Sequence, residues 1–293
     1  MSQTTDHNSF IRSRISNPIR RVALSLVDFL LPPACTFCTR DLQHDFEATV
    51  DRISLCGKCR RKFTSDKRSA CLKCGMPVGP YVDTRQGCPA CTRRQFRFDQ
   101  VIRLGVYDDA LRTACIRGKS RGAEALAASL ASILLKEHRS LFTEFAPDVV
   151  VPIPQHWLHW FTRPHHQALT MAEIIAESLE IPCNNRIVCK SRRTVDQSSL
   201  PRSKRLTNLQ KAYRIRRHHN LAGKRVLIVD DILTTGTTSN EVAKVLRKAG
   251  ATSVAVAVIA ALFLREERGR APVGFCVLSF SCTQHSPALC CLR

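Results

Sequence analysis

VLIVDDILTTGTTSNEVAKVLRKA, residues 226–249, is the stretch that decides the fold. Four apolar residues run directly into Asp230 and Asp231, and a short apolar run bounded by turn residues is typical of a buried parallel strand. From Ser239 the apolar residues recur with helical spacing. We therefore expect a strand over 225–229, a turn, and a helix over 239–248. Both acids then lie at the carboxyl end of the strand, where α/β sheets bind ligands.

The turn between strand and helix supplies backbone N–H groups, hydroxyls and the positive end of a helix, which together suit a phosphate. Its residues are Thr234, Thr235, Gly236, Thr237 and Thr238. The sequence has neither a P-loop nor the glycine motif of dinucleotide-binding folds. Carboxylates beside a phosphate-binding turn indicate a sugar phosphate as ligand. The alternative is an ordinary strand–turn–helix in which the threonines only cap the helix.

Eight of the 15 cysteines form four CxxC pairs, namely Cys35/Cys38, Cys56/Cys59, Cys71/Cys74 and Cys88/Cys91. Each pair places two thiolates on one turn, and two such turns complete a zinc site with four sulfur ligands. The pairs predict two structural zinc ions, combined either in chain order or first with third and second with fourth. Disulfides or a redox motif are the alternatives.

The net charge of the chain limits the kinds of partner that it can be expected to bind. The chain of 293 residues carries a formal net charge of +21, which indicates a pyrophosphate-bearing ligand, nucleic acid or an anionic membrane surface. No apolar stretch has the roughly 20 residues that a membrane-spanning helix needs, so we expect no membrane span.

Further along the chain, strands alternate with helices, which predicts an α/β fold with a parallel sheet. The other expected strands are 101–107, 148–154 and 252–264, and the other expected helices are 124–138 and 167–179, with a basic connection over 190–217. We expect a basic N-terminal extension over 1–29, a double zinc-ribbon module over 30–95, the α/β domain over 96–265 and an unassigned tail over 266–293.

The motif at 226–238 resembles the phosphoribosyl-pyrophosphate (PRPP) signature of type I phosphoribosyltransferases. A zinc-ribbon module ahead of such a domain resembles the ComF family of competence-associated proteins, as do LLPPACTFC (30–38) and VPIP (151–154). The resemblance implies a type I phosphoribosyltransferase-like parallel sheet with helices on both faces. It also implies that Asp230 and Asp231 hold the ribose 2′- and 3′-hydroxyls and that the 234–238 turn holds the 5′-phosphate.

Other family segments are partly retained. Arg163 and Gln167 match the ends of R-G-F-N-Q, whereas F-K-Y-R-G survives only as Lys119, Arg121 and Gly122. A segment that forms a mobile hood over PRPP in related enzymes is matched at Arg193, Thr194, Gln197, Leu200 and Arg205. We expect Arg163, Arg193, Arg202 and Arg205 to neutralise a departing pyrophosphate.

Two functions follow from the resemblance. The first is Mg²⁺-dependent phosphoribosyl transfer from PRPP to an unidentified acceptor in the cytoplasm, where thiols stay reduced. The second is a single-stranded DNA-binding module for DNA uptake, with competence or DNA-processing proteins as partners. Candidate DNA contacts are Trp157, Trp160 and Phe161 for base stacking and, beside the zinc ligands, Lys58, Arg60, Arg61, Lys62, Lys67 and Arg68. The alternatives are packing of the aromatic cluster against the sheet and a solvated face for the basic residues. A relative without activity is a third alternative.

Overall fold

Four parallel strands form the central sheet. The structure, a computed structural model, describes residues 33–42, 53–92, 94–154, 166–190, 212–216 and 219–263. In spatial order β1-β6-β5-β2, the strands are β1 (Gln100–Val106), β6 (Ser253–Ala261), β5 (Arg225–Leu233) and β2 (Val149–Pro152). Every neighbouring pair in this sheet is parallel, so the expected parallel α/β fold is confirmed.

Six helices lie in the described residues: α1 (Gly57–Phe63), α2 (Asp109–Arg117), α3 (Glu124–Glu137), α4 (Arg139–Phe145), α5 (Gln167–Ser178) and α6 (Thr237–Lys248). The longer amphipathic patterns at 124–138, 167–179 and 239–248 predicted α3, α5 and α6. Three short helices, α1, α2 and α4, were not predicted. Helices of seven to nine residues carry too little local signal, since packing rather than propensity stabilises them.

The sheet is covered on both faces, and its side chains alternate between two hydrophobic clusters as a two-residue strand period requires. Leu227 and Val229 of β5 pack with α3, α5 and the first zinc ribbon. Val226 and Ile228 of the same strand pack with Val242 and Leu246 of α6. Helices on both faces of the sheet are therefore confirmed.

β5 is longer than the sequence predicts. The apolar run ends at Val229, but the strand continues through both acids because Ile232 and Leu233 pair with Ala260 and Ala261 of β6. Helix α6 begins at Thr237, two residues earlier than expected, and the Asn240 N–H donates to the Gly236 carbonyl at 2.8 Å. The turn is consequently shorter than the sequence suggests.

A two-stranded antiparallel sheet flanks the predicted basic connection. It is formed by β3 (Val188–Lys190) and β4 (Tyr213–Ile215), and Val188 pairs with Ile215. These strands bring the two ends of the connection together, and neither was predicted from the sequence. The four predicted pyrophosphate arginines and the predicted stacking aromatics lie outside the described residues, as do the expected extension at 1–29 and the tail at 266–293.

Both zinc ribbons contact the α/β part of the chain. Cys56, Cys59 and Phe63 of the first ribbon belong to the same hydrophobic cluster as β5. The second ribbon covers the outer edge of β1, where the Val101 N–H donates to the Leu72 carbonyl at 2.7 Å. This bond satisfies part of an edge strand that would otherwise be open to another chain.

Candidate functional site

The two acids of the motif lie near the carboxyl end of β5, where the strand leaves the fully buried part of the sheet. The Asp231 N–H donates to Asp230 Oδ1 at 2.9 Å, and the Ile232 N–H donates to Asp231 Oδ1 at 2.9 Å. Burial, followed by the neighbouring charge of Asp231, raises the pKa of Asp230 well above its ordinary value. Two ionised carboxylates are therefore unfavourable here without a ligand or cation.

Lys119 supplies a positive charge from a distant part of the chain. It follows the C-terminal end of α2, and its Nζ lies 2.8 Å from Asp231 Oδ2. The side chains of Lys119 and Asp231 are 37% and 19% exposed, so a ligand can reach this ion pair. The resemblance assigned Lys119 to a family segment on the pyrophosphate side of the site, but nothing in the sequence indicated its contact with Asp231. F-K-Y-R-G was the only signal that could have found it.

The phosphate-type turn has the left-handed backbone that its glycine suggests. Gly236 has φ 76° and precedes the first residue of α6. The hydroxyls of Thr235 and Thr237 lie 2.8 Å apart, and the Thr237 N–H faces Thr235 Oγ1 at 3.4 Å. Backbone N–H groups, hydroxyls and a helix N-terminus thus converge beside the acids, which is a suitable environment for a phosphate.

Two aromatic rings support this turn from within. Phe96 and Phe98 stack with their ring centroids 4.7 Å apart, ahead of β1. A Cβ at Gly236 would lie 3.3 Å from Phe96 Cε1 and 3.6 Å from Phe98 Cζ. The turn therefore tolerates a side chain poorly, both for its positive φ and for its close packing. No local pattern predicted the role of these phenylalanines, because they approach through tertiary packing.

Gln167, the first residue of α5, is the least satisfied polar side chain near the site. It is 2% exposed, and neither amide atom has a hydrogen-bond partner within the described residues. A Cβ at Gly118 would clash with Gln167 Nε2, so the amide packs directly against the residue that precedes Lys119. Gly118 therefore leaves the space that this buried amide occupies.

The eight paired cysteines form two sets in chain order, each with its sulfur atoms within 4.8 Å of one another. The first set is Cys35, Cys38, Cys56 and Cys59, and the second is Cys71, Cys74, Cys88 and Cys91. Sulfur–sulfur distances are 3.7 Å for Cys38–Cys56 and 3.8 Å for Cys71–Cys91. A tetrahedral ion with Zn–S bonds of about 2.3 Å requires about 3.8 Å. Both sets fit structural zinc, and this grouping excludes the pairing of first with third.

Both the zinc-ribbon part and the α/β part of the chain are similar to known protein families. The family model for the phosphoribosyl transferase domain matches residues 121–291, and that for the double zinc ribbon domain matches residues 26–92. Among curated proteins, Competence protein F of Haemophilus influenzae is 26% identical over 226 residues, covering 76% of this chain and 94% of the relative. DNA utilization protein YhgH of Escherichia coli is 26% identical over 233 residues, covering 77% and 96%.

Among solved structures, one that is similar to this chain is a purine phosphoribosyltransferase from Pyrococcus horikoshii. It is 22% identical, with a TM-score of 0.29, and the match covers 46% of this chain and 72% of that one.

None of the helices in the described part of the chain combines the length and hydropathy that crossing a membrane requires.

Proposed function

Because the chain belongs to the phosphoribosyl transferase domain family and, with its double zinc ribbon, to the ComF family, we propose that it binds PRPP or a ribose phosphate. Asp230 and Asp231 would accept hydrogen bonds from the ribose hydroxyls, and the 234–238 turn would bind the 5′-phosphate. The observation that carries this proposal is the position of two adjacent carboxylates ahead of a left-handed glycine turn at a helix N-terminus.

Charge at the site fits a ligand that arrives with a cation. The carboxylate oxygens of Asp230 and Asp231 are of the type that Mg²⁺ prefers, and Mg²⁺ would supply Lewis-acid stabilisation of the pyrophosphate. Lys119, already 2.8 Å from Asp231, is placed to exchange this contact for a ligand oxygen. Ligand binding would thereby offset the negative charge of Asp230, which burial and the charge of Asp231 disfavour.

We further propose phosphoribosyl transfer to an unidentified acceptor. The bond from ribose C1 to the pyrophosphate oxygen breaks, the pyrophosphate leaves with the electron pair, and the acceptor forms a new bond to C1 and releases its proton to water. Lys119 and the four arginines expected near the leaving group would neutralise the departing charge. These arginines are Arg163, Arg193, Arg202 and Arg205. The acidic pair would hold the ribose while positive charge develops on the ring.

Calorimetric titration of the zinc-loaded protein with PRPP and Mg²⁺ tests the binding proposal. We expect saturable binding that falls at least about tenfold in Asp231→Asn, since a charge-assisted hydrogen bond is lost. Gly236→Val should weaken binding through strain and its contact with Phe96. Asp83→Asn, which changes an exposed carboxylate on the second ribbon, is the control. Absence of binding by wild-type protein would refute the proposal.

Single-stranded DNA is the second candidate ligand. Relatives are named for competence and DNA utilization, and exposed Lys58, Arg61 and Lys62 line up on α1 of the first ribbon. On the second ribbon, Tyr81 is 98% exposed, and an exposed ring is a suitable platform for base stacking. The predicted stacking cluster did not include Tyr81, which lacks aromatic neighbours in sequence.

Fluorescence anisotropy with a labelled oligonucleotide tests this second function. Affinity should fall at least about tenfold between roughly 50 and 200 mM salt, because phosphate contacts release counterions. Replacing Lys58, Arg61 and Lys62 with alanine should weaken binding and flatten its salt dependence. The control replaces three exposed lysines outside the ribbon with alanine and so removes the same charge. These lysines are Lys224, Lys244 and Lys248. Equal losses in both triple variants would assign binding to net charge rather than to the ribbon.

A further inference from the structure

Helix α2 connects the first zinc ribbon with the acidic pair. Its buried residues Leu111, Ala114 and Cys115 belong to the same hydrophobic cluster as Cys35, Cys56 and Phe63 of the ribbon. The chain leaves this helix at Gly118 and places Lys119 against Asp231. The helix is therefore in contact with the ribbon along its side and with the ribose site at its end.

Arg117, the last residue of α2, makes a specific contact with the zinc-binding turn. Its Nη1 donates to the Phe37 carbonyl at 2.6 Å, and its guanidinium lies 5.1 Å from the centroid of the Phe37 ring. Phe37 lies between zinc ligands Cys35 and Cys38, and its ring packs edge-on against Phe63 at 4.9 Å. One planar guanidinium thus holds both the backbone and the ring of this turn.

The two residues after Arg117 have little freedom. The Gly118 N–H donates to the Ala114 carbonyl at 2.8 Å, and the Lys119 N–H donates to the Ile116 carbonyl at 3.3 Å. The Gln167 amide packs against Gly118 from the other side. The end of α2, of which Arg117 is the last residue, therefore determines where the Lys119 backbone lies relative to Asp231.

We infer that Arg117 is a positioning residue for the ribose-phosphate site: by binding the Cys35–Cys38 turn, it holds Lys119 in contact with Asp231. The first zinc ribbon then has a role in the site beyond its own folding. The inference rests on the proposed function for its meaning, but the contact that it describes can be measured without a ligand.

Limited acetylation of lysines, with the extent of Lys119 labelling read by peptide mass spectrometry, measures that contact. An ion-paired ammonium reacts slowly, so we expect labelling of Lys119 relative to exposed Lys224 to rise about threefold in Arg117→Ala. Asp231→Asn, which removes the partner directly, should raise it by a similar factor. Arg112→Ala is the matched control, because Arg112 is an exposed arginine of the same helix. Zinc content is measured for every variant.

Unchanged Lys119 labelling in Arg117→Ala, with a clear rise in Asp231→Asn, would overturn the inference. If Arg117→Ala releases zinc, Phe37→Leu decides, since it removes the ring under the guanidinium but keeps the carbonyl acceptor. In Phe37→Leu, a rise in Lys119 labelling that is smaller than in Arg117→Ala supports the inference. No rise in Phe37→Leu overturns it. PRPP affinity should fall in Arg117→Ala and not in Arg112→Ala. Failure of wild-type protein to bind PRPP would refute the proposed function and leave the labelling result valid.

Discussion

At the scale of single residues, the candidate site is strained by its own charges. Asp230 is partly buried next to Asp231, and both its burial and the neighbouring charge raise its pKa. Among the described residues, Lys119 is the positive side chain that forms an ion pair with this carboxylate pair, at Asp231. Such an arrangement is unfavourable for folding and favourable for binding hydroxyls with a cation, which is typical of a functional site.

Asp230→Asn should therefore stabilise the ligand-free protein while it weakens PRPP binding. A carboxyl whose folded pKa is raised destabilises the folded state once pH exceeds its unfolded value of about 3.9, and the penalty grows up to the folded pKa. We expect a higher thermal midpoint for Asp230→Asn at pH 7, and a smaller difference from wild type at pH 5. The measurement is thermal unfolding in excess zinc at both pH values.

Asp83→Asn controls for the loss of a carboxylate at an exposed position and should shift the midpoint little at either pH. If Asp230→Asn is less stable than wild type at pH 7, the carboxylate contributes native hydrogen bonds that outweigh its burial. The account of a strained acid at this position would then be wrong.

At the scale of elements, local patterns predicted what local contacts determine. The apolar run before Asp230 and the glycine turn after it identified β5 and α6, because strand burial and turn geometry depend on adjacent residues. The sequence did not predict the last residue of β5, because the end of this strand is determined by its pairing with Ala260 and Ala261 of β6. Nor could it bring Lys119 to Asp231, because that contact depends on how α2 packs.

The cysteine pairs show the same limit. CxxC spacing predicts two zinc sites but not which turns combine, since either arrangement satisfies four thiolates. The structure groups the pairs in chain order, and the first ribbon closes around Phe37 and Phe63. Folding of each ribbon thus brings together turns that are neighbours along the chain.

Zinc content of double variants tests this grouping. Cys38→Ser with Cys56→Ser alters one site, so we expect about one zinc ion per chain to remain. Cys38→Ser with Cys71→Ser alters both sites and should leave none bound tightly. Elemental analysis after gel filtration measures both. The reverse result, with zinc retained only in the second variant, would indicate the pairing of first with third.

At the scale of the whole molecule, one arginine joins the sheet both to the segment between the two ribbons, through a buried ion pair, and to the second ribbon, through a backbone carbonyl. Arg103 of β1 donates from Nη1 to Asp66 Oδ2 at 2.8 Å and from Nε to the Gly75 carbonyl at 2.5 Å. The two side chains are 3% and 9% exposed. Burial opposes ionisation of Asp66, but hydrogen bonds from Arg68 and Arg103 lower its pKa to about 2. Asp66 therefore remains charged at neutral pH.

Asp66→Ala should lower the free energy of unfolding by about 3 kcal/mol, because it leaves the Arg103 guanidinium buried without its partner. Adding Arg103→Met should restore most of this loss, since an apolar replacement removes the unpaired charge. Urea unfolding at pH 7 in excess zinc measures both variants.

The second ribbon contains its own control for this prediction. Asp83 forms the same local pair with Arg85 that Asp66 forms with Arg68, but in an exposed position. Asp83→Ala should therefore leave stability unchanged within error. An equal effect of both aspartate variants would show that the local turn, rather than the buried ion pair with the sheet, determines stability.

The central claim is that Asp230, Asp231 and the 234–238 turn form a ribose-phosphate site. A crystal structure of the zinc-loaded protein with PRPP and Mg²⁺ tests it most directly. The account predicts the ribose hydroxyls within hydrogen-bond distance of the two carboxylates and the 5′-phosphate against the turn at Gly236. PRPP bound elsewhere, for example on the basic face of α1, would contradict it.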